Sequence, residues 1–398
     1  MGDVPVEALK AHLDRDALLD AARALIRIDT TNPPGNEAPA ARWVRERMLE
    51  LGFRDVQLVE PHPGRASVVG EWGTPGWGAT RSLLWNGHLD VVPAGDASAW
   101  RYPPFAGVVD GGRLWGRGSA DMKGAVAAIL EAVAILRRAG LRPAGRLVVQ
   151  AVADEEMLGP FGTQYLVERF PVRADAAICG EPTGLRPFVA ARGLLWVEIT
   201  TTGRSCHAST PHLGVNAVVK MAAVIQSLHG LRFTARHPLL GSPTLSVGTI
   251  AGGSKTNVVP DRCTITLDRR LVPGESPESA LAAIEQELRA LEASDPDCQA
   301  RVRVLHHAQP SEVGPDEPIV QAVARVRALL GLQPAPPAGM PGTTDARFLV
   351  NQAGIPTVIL GPGQLDQAHT VDESVAVAEL EQAALLYAGI LCDWLGCA

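Results

Sequence analysis

The sequence predicts an α/β fold, a mixed sheet flanked by helices, interrupted by an inserted α+β domain of ferredoxin-like βαββαβ order. Three observations carry this reading. Apolar, β-branched runs alternate with helical stretches through the first half of the chain, the pattern of a parallel or mixed sheet with helical crossovers. From near Arg192 the rhythm changes to strand, helix, two strands, helix, strand, which is the order of a split βαβ unit. After about Ala308 the helix-then-strand pattern resumes, so the chain is expected to return to the first domain. The boundaries read as 1–190 and 307–398 for the outer domain and 191–306 for the insert. A chain of 398 residues also exceeds the roughly 250–300 residues at which single cores stop growing.

Taken in order, the stretch MGDVPVEALKAHLDRDALLDAARALIRI mixes acids and bases at helical spacing and reads as one first helix. It lacks a signal-peptide apolar core, so a cytoplasmic protein is expected. Strands are expected over 66–71, 82–86, 146–153 and 176–178, with a helix over 123–139. In the insert, strand 194–202 precedes a helix over 215–229, strands 244–250 and 263–271, a helix over 277–292 and a strand at 301–305. Ser276 before Pro277 marks the start of that last helix, with Glu278 in its positive first turn. An apolar helix over 319–330, a strand at 356–360 and a closing helix over 377–394 complete the outer domain.

Composition narrows the partners. A net charge of −7 argues against nucleic acid, whose phosphates require basic surface. No apolar run approaches the roughly 20 residues that span a bilayer, so no membrane partner is expected. Six scattered cysteines form no CxxC pair and are read as reduced thiols.

The chemistry-bearing residues cluster near strand ends, where open α/β sheets bind ligands. His88 and Asp90 lie in LLWNGHLDVVP, and Asp90 offers an acceptor for the second nitrogen of a metal-ligating His88, although spacing does not show that it reaches the ring. Taken alone, His88 reads as a turn histidine. Asp121 in GRGSADMKG begins a helix, where plain capping is the simpler reading; as a bridge it would serve two cations about 3.5–4 Å apart. Glu155 and Glu156 leave a buried strand side by side. Their repulsion makes a purely structural pair awkward, whereas one could ligate a metal while the other takes a proton from water. Spacing does not decide which does which. Glu181 in ICGEPTG and His369 in DQAHTVDES would each be unremarkable turn residues in isolation.

In this order GHLDVVP, GRGSADMKGA, DEEMLGPFGT and GEPTG resemble the motifs of the di-zinc aminoacylase/carboxypeptidase metallopeptidases. That family includes acetylornithine deacetylase, succinyl-diaminopimelate desuccinylase, aminoacylase-1 and glutamate carboxypeptidases. The similarity continues through GRSCHASTPHLGVNA, GTIAGGSKTNVVP, LDRRLVPG, PGTTDARF and AHTVDE, nearly the whole chain. It implies a zinc-peptidase-like catalytic domain and an insert that mediates a homodimer. It also implies two zinc ions per subunit, with cobalt or manganese as substitutes: His88 and Glu181 on one, Glu156 and His369 on the other, Asp121 bridging. Glu155 then matches the general base, Asp90 the residue that orients His88, and His207 in SCHAS a histidine that polarises the scissile carbonyl from the partner subunit. Arg270, Asn257, Gly342 and Thr343 match positions that contact substrate, the arginine fork suiting a carboxylate, and the whole of Gly342–Asp345 is expected to line the pocket.

The function expected is hydrolysis of the amide bond of an N-acyl amino acid, in the manner of acetylornithine deacetylase, because PGTTDARF resembles the deacetylase style. A carboxypeptidase or dipeptidase acting on short peptides and a desuccinylase are the alternatives, and a catalytically silent metal- or amino-acid-binding protein is the reading from another class.

Overall fold

The computed structural model describes residues 4–74, 81–170 and 173–397. Its contacts divide into two units, one of Met1–Val189, Val313–Ala338 and Thr344–Ala398, the other of Ala190–Glu312 and Gly339–Thr343. The fold class is the one the sequence predicts, and among the described residues no helix is long and apolar enough to cross a membrane.

In the first unit the sheet runs Arg54–His62, Arg65–Gly73, Arg146–Val152, Ser82–His88, Ala176–Cys179, Thr357–Ile359, then the strand that begins at Phe188. The four strands from Arg146–Val152 to Thr357–Ile359 are mutually parallel, and their flanks are antiparallel. Every residue of Ser82–His88, Arg146–Val152 and Ala176–Cys179 is buried. Continuous burial is what strands covered on both faces show. Leu83 and Trp85 face the main core while Leu84 joins Ala177, Leu349 and Ile355 on the opposite side. The helices Lys123–Arg138 and Val377–Leu395 pack together and on the Ser82–His88 strand, buried almost throughout. Gly87 cannot carry a side chain: an added Cβ would lie 2.4 Å from Met122 Cε and 2.6 Å from Trp85, so the chain next to His88 is fixed by close packing.

The amino-terminal stretch corrects the expectation of one helix. It forms Val6–Ala11 and Arg15–Arg27, because Asp14 turns extended and accepts the Ala17 N–H at 3.0 Å as an N-cap.

The second unit is a four-stranded antiparallel sheet in the order Thr244–Gly252, Arg262–Leu271, Gly193–Thr202, Gln299–Ala308, the split βαβ order. Leu195, Val197, Ile199, Ile265 and Leu267 pack with Met221 and Val224 of the helix Ala217–Gly230 and Ile284 of the helix Pro277–Ser294. Both helices start as the chemistry of caps requires. Asn216 accepts the N–H groups of Val218 and Val219, and Ser276 and Ser279 cap one another reciprocally.

Candidate metal centre

The parallel register gathers the candidate residues at one edge of the first unit's sheet. Ser82–His88 ends on His88 itself, Arg146–Val152 is followed by Glu155 and Glu156, Ala176–Cys179 by Glu181, and Thr357–Ile359 by the loop that carries His369. Asp121 comes from the loop before Lys123–Arg138. It does not cap that helix: the N-cap residue is Met122, without a side-chain cap.

His88 Nε2 lies 3.0 Å from Asp121 Oδ1 and 4.0 Å from Glu181 Oε2. His369 Nε2 lies 3.4 Å from Asp121 Oδ2 and 3.0 Å from Glu156 Oε2. The two oxygens of one carboxylate therefore face two different imidazoles, each accompanied by a second acid. Ligand atoms of His88, Asp121 and Glu156 all fall within 4.8 Å of one another, as do those of His88, Glu155 and Glu181.

This set fits divalent cations. Glu156 Oε1 is buried with no hydrogen-bond partner, the state of a ligand oxygen whose partner is an ion. Among the described residues only imidazoles form ion pairs with Asp121, Glu156 and Glu181. Burial and the charge of Glu181 push the Glu155 carboxyl well above its usual range. Burial and Asp121 do the same to Glu181, and raise Glu156. Burial also works to raise Asp121, but its hydrogen bonds from His369 and His88 outweigh that and lower it. The same bonds, to Asp121 and Glu156, lift His369 to about 11. His88 is raised well above its usual value, the bond to Asp121 and the charge of Glu181 overcoming burial. Such an acid-rich nest favours whatever positive charge it can hold, proton or metal.

The first unit supports these side chains from behind. Asp90 accepts the N–H groups of Glu155 at 3.2 Å and Glu156 at 3.1 Å, and Asn32 Nδ2 at 2.8 Å. Asn32 also donates to Asp154 at 3.1 Å, and Asp154 takes Arg65 Nη2 at 2.6 Å. Arg65 forks onto Glu37 with two contacts of 2.7 Å.

The remaining sequence candidates belong to the second unit. His207 is exposed, its Nδ1 2.7 Å from Ser209 Oγ, and the following N–H, of Ala208, donates to the Asn257 carbonyl at 3.1 Å. Thr343 Oγ1 donates to the Arg192 carbonyl at 2.8 Å, and the Gly342 carbonyl accepts the Arg192 N–H at 3.1 Å. Arg270 does not stand free. Its fork lies on Asp268 of its own strand, with Nε 2.9 Å from Oδ1 and Nη2 3.0 Å from Oδ2.

Comparison with known proteins places the chain. The profile of Peptidase family M20/M25/M40 matches residues 84–393. The chain belongs to this family. Among curated relatives, a succinyl-diaminopimelate desuccinylase of Cereibacter sphaeroides is 34% identical over 385 residues, spanning 93% of this chain and 97% of the relative. An acetylornithine deacetylase of Vibrio atlanticus is 33% identical over 373 residues, spanning 90% and 93%. Among solved structures, the M20 family metallo-carboxypeptidase Sso-CP2 of Sulfolobus solfataricus superposes with a TM-score of 0.78 at 20% identity, covering 95% of this chain and 99% of that one; at that identity the likeness speaks for the fold. As an M20 protein the chain is a hydrolase of amide bonds.

Several residues of this M20 site escaped the sequence reading. Asp154 adjoins Glu155 in VADEEM, and Glu373 follows His369 in AHTVDES; both are acids inside motifs already singled out, which was the available signal. Asn32, Glu37 and Arg65 join them only through tertiary contacts and carry no local pattern. Asp345, by contrast, is legible in the sequence as part of Gly342–Asp345; it belongs to the first unit rather than with Gly342 and Thr343, is 3% exposed, and adds to the charge that raises Glu155 and Glu181.

Proposed function

We propose that this M20 hydrolase removes the acyl group from N-acyl amino acids, acetylornithine-like substrates first, using two divalent cations. The observation that carries the two-cation part is the division of Asp121, one oxygen toward His88 and the other toward His369; the acyl substrate rests on the PGTTDARF segment and the likeness to acetylornithine deacetylase. His88 and Glu181 would hold one ion, His369 and Glu156 the other, with Asp121 shared. Oxygen and nitrogen donors without thiolate suit zinc, with cobalt or manganese as substitutes. Cations bound there supply Lewis acidity, lowering the pKa of a water and polarising a carbonyl.

The residues divide the remaining work. Glu155, on the same turn as Glu156 but without an imidazole of its own, takes the proton of the attacking water and returns it to the leaving amine. In the metal-free protein burial and the charge of Glu181 raise its proton affinity; cations held by Glu181 and its neighbours would offset that charge and leave Glu155 free to accept a proton. Asp90 fixes the turn that carries it. His207, supplied across a dimer, donates to the developing oxyanion. Arg270, Asn257, Gly342 and Thr343 recognise the substrate carboxylate and the chain near it, Arg270 exchanging Asp268 for the ligand.

The second unit supports a homodimer. Its edge strand Thr244–Gly252 is largely exposed, with Ile250 58% accessible, and Val219 of the helix Ala217–Gly230 and Leu213 of the preceding turn are 62% and 60% accessible. An unpaired edge beside apolar side chains is a template for pairing with another copy. The domain limits proposed for the two functions are 1–190 with 307–398 for catalysis and 191–306 for dimerisation, in the cytoplasm.

Release of amine from N-acetyl, N-succinyl and dipeptide substrates by zinc- or cobalt-loaded protein tests the assignment. N-acetyl amino acids should turn over fastest. Turnover confined to dipeptides with a free carboxyl terminus would replace it by the carboxypeptidase or dipeptidase reading, and N-succinyl preference by the desuccinylase one. Hydrolysis no faster than that of Glu155→Gln on every substrate would leave a silent binding protein.

A further inference from the structure

Glu373 lies four residues beyond His369 and is fully buried, at 0% exposure. Its Oε1 accepts two consecutive backbone N–H groups, Ala120 at 2.9 Å and Asp121 at 3.1 Å, across 252 residues of sequence in the second case. Its Oε2 takes Arg117 Nη1 at 2.6 Å, and its backbone carbonyl accepts the Gly116 N–H at 2.9 Å. One residue of the His369 loop thus grips segment 116–121 at both ends.

We propose that Glu373 is a positioning residue for the metal centre: it fixes the backbone of Asp121 relative to the His369 loop, so that the carboxylate shared between the two imidazoles is aimed before any cation arrives. The inference rests on the reading of Asp121 and His369 as ligands. Ser374–Ala376 pairs with Arg113–Trp115, placing the two loops side by side, but that ladder stops short of Asp121. Among the described residues, only the Glu373 carboxylate continues the connection to the ligand's own N–H. Segment 116–121 has little room to settle elsewhere. Gly118 sits at φ +84°, and a Cβ there would come within 2.7 Å of Val91. Arg117, 2% exposed and 5.1 Å above the Trp100 ring, holds the Glu373 carboxyl in place. A buried ion pair is poor evidence of stabilisation for its own sake, since apolar replacements often match it. Groups that hold metal ligands in place, by contrast, typically change metal affinity or activity about 10–100-fold when removed.

Glu373→Gln and Glu373→Leu separate positioning from bulk stability. Glutamine keeps an oxygen for the Ala120 and Asp121 N–H groups but loses the charge facing Arg117; leucine loses both. Full-length protein is stripped of metal and titrated with Co2+, reading stoichiometry, affinity and visible absorption, with thermal unfolding recorded on the metal-free forms. Glu373→Leu should bind its weaker Co2+ about tenfold less tightly or worse, with an altered d–d spectrum, and lose about 10–100-fold in kcat with little change in KM. Glu373→Gln should lose thermal stability yet keep the parental spectrum and Co2+ affinity to within about threefold. A folded Glu373→Leu with parental affinity, spectrum and kcat overturns the proposal, as does a Glu373→Gln that loses Co2+ as fully as leucine does. If Glu373→Leu does not fold, Glu373→Asp takes its place, being too short to reach Arg117 and the amides together. It should weaken Co2+ binding, and unaltered binding sinks the idea. Parental protein that binds no Co2+ removes the metal reading itself, a failure distinct from unaltered variants of a parent that binds two.

Discussion

The imidazole Nδ1 of His88 lies 2.9 Å from the backbone carbonyl of Asp90, nearer than the 3.6 Å to that residue's carboxylate. The sequence offers Asp90 for this task without marking which of its oxygens serves. A main-chain carbonyl accepts the Nδ1 proton just as well and leaves Nε2 to Asp121 or, once deprotonated, to a cation, while the carboxylate is engaged by Asn32 and by the N–H groups of Glu155 and Glu156.

Asp90→Asn therefore tests which of two neighbours the carboxylate serves. His88 should keep its tautomer and its cation, because the carbonyl is untouched. The Glu155–Glu156 turn should loosen, as an amide can place only one acceptor atom where two N–H groups and Asn32 now converge. The expected result is parental metal content by elemental analysis with kcat down about 10–100-fold. Loss of one equivalent of metal with kcat per bound pair unchanged would return the carboxylate to His88.

Metal uptake should release protons. In the metal-free protein the hydrogen bonds to Asp121 and Glu156 lift His369 to about 11, so it is protonated at pH 7. A raised histidine stabilises the metal-free fold fully below its unperturbed value near 6.5, and that contribution disappears as pH rises through about 11; with His369 half exposed, solvent screening makes it small. Cation binding has the opposite sign, since a ligating imidazole must be neutral. Calorimetric titration with zinc in buffers of different ionisation enthalpy should show at least one proton released per chain at pH 7, and affinity should climb with pH. Uptake without proton release would mean that His369 is not a ligand.

Glu155→Gln should separate the base from the ligands. The amide cannot accept the water proton, and general bases typically contribute about 10²–10⁴-fold, so kcat should fall within that range. Glu155 lies close enough to His88 and Glu181 to count as a ligand on distance alone, so metal stoichiometry must be read on the same sample. Two equivalents retained assign Glu155 to proton transfer, and one equivalent lost assigns it to the metal.

What was legible in the sequence follows from how local each signal is. The parallel strands announced themselves because burial on both faces demands uninterrupted apolar runs, as in Leu83–Trp85 and Leu147–Val149, and the residues just past them were then conspicuous. Ser276 was readable because a cap is decided within three residues. Asp14 was not: the same acid suits a cap or a solvated helix face, and only the packing of Leu18 and Leu25 in the core decides where the helix restarts. The grip of Glu373 on Asp121 was invisible for a similar reason. Its partner lies 252 residues away, and nothing in the local pattern marks which acid of VDES turns inward.

Arg65 gives the clearest stability test in the first unit. It is 7% exposed and bridges two acids, Glu37 at 0% and Asp154 at 3%. Removing the shared cation leaves both carboxylates buried without charge compensation, whereas removing Glu37 leaves Arg65 still paired with Asp154. Arg65→Met should therefore cost about 3–5 kcal/mol in urea unfolding of the metal-free protein, and Glu37→Gln clearly less, because the amide oxygen still accepts from the guanidinium. Gly35→Ala should fall with the larger loss: its φ of +81° is costly for alanine, and the new Cβ would stand 2.3 Å from Arg65 Cζ, driving the guanidinium off both acids at once. Equal costs for Arg65→Met and Glu37→Gln would mean that the arginine serves Glu37 alone, and that Asp154 is held in place by Asn32 and the Phe161 N–H instead.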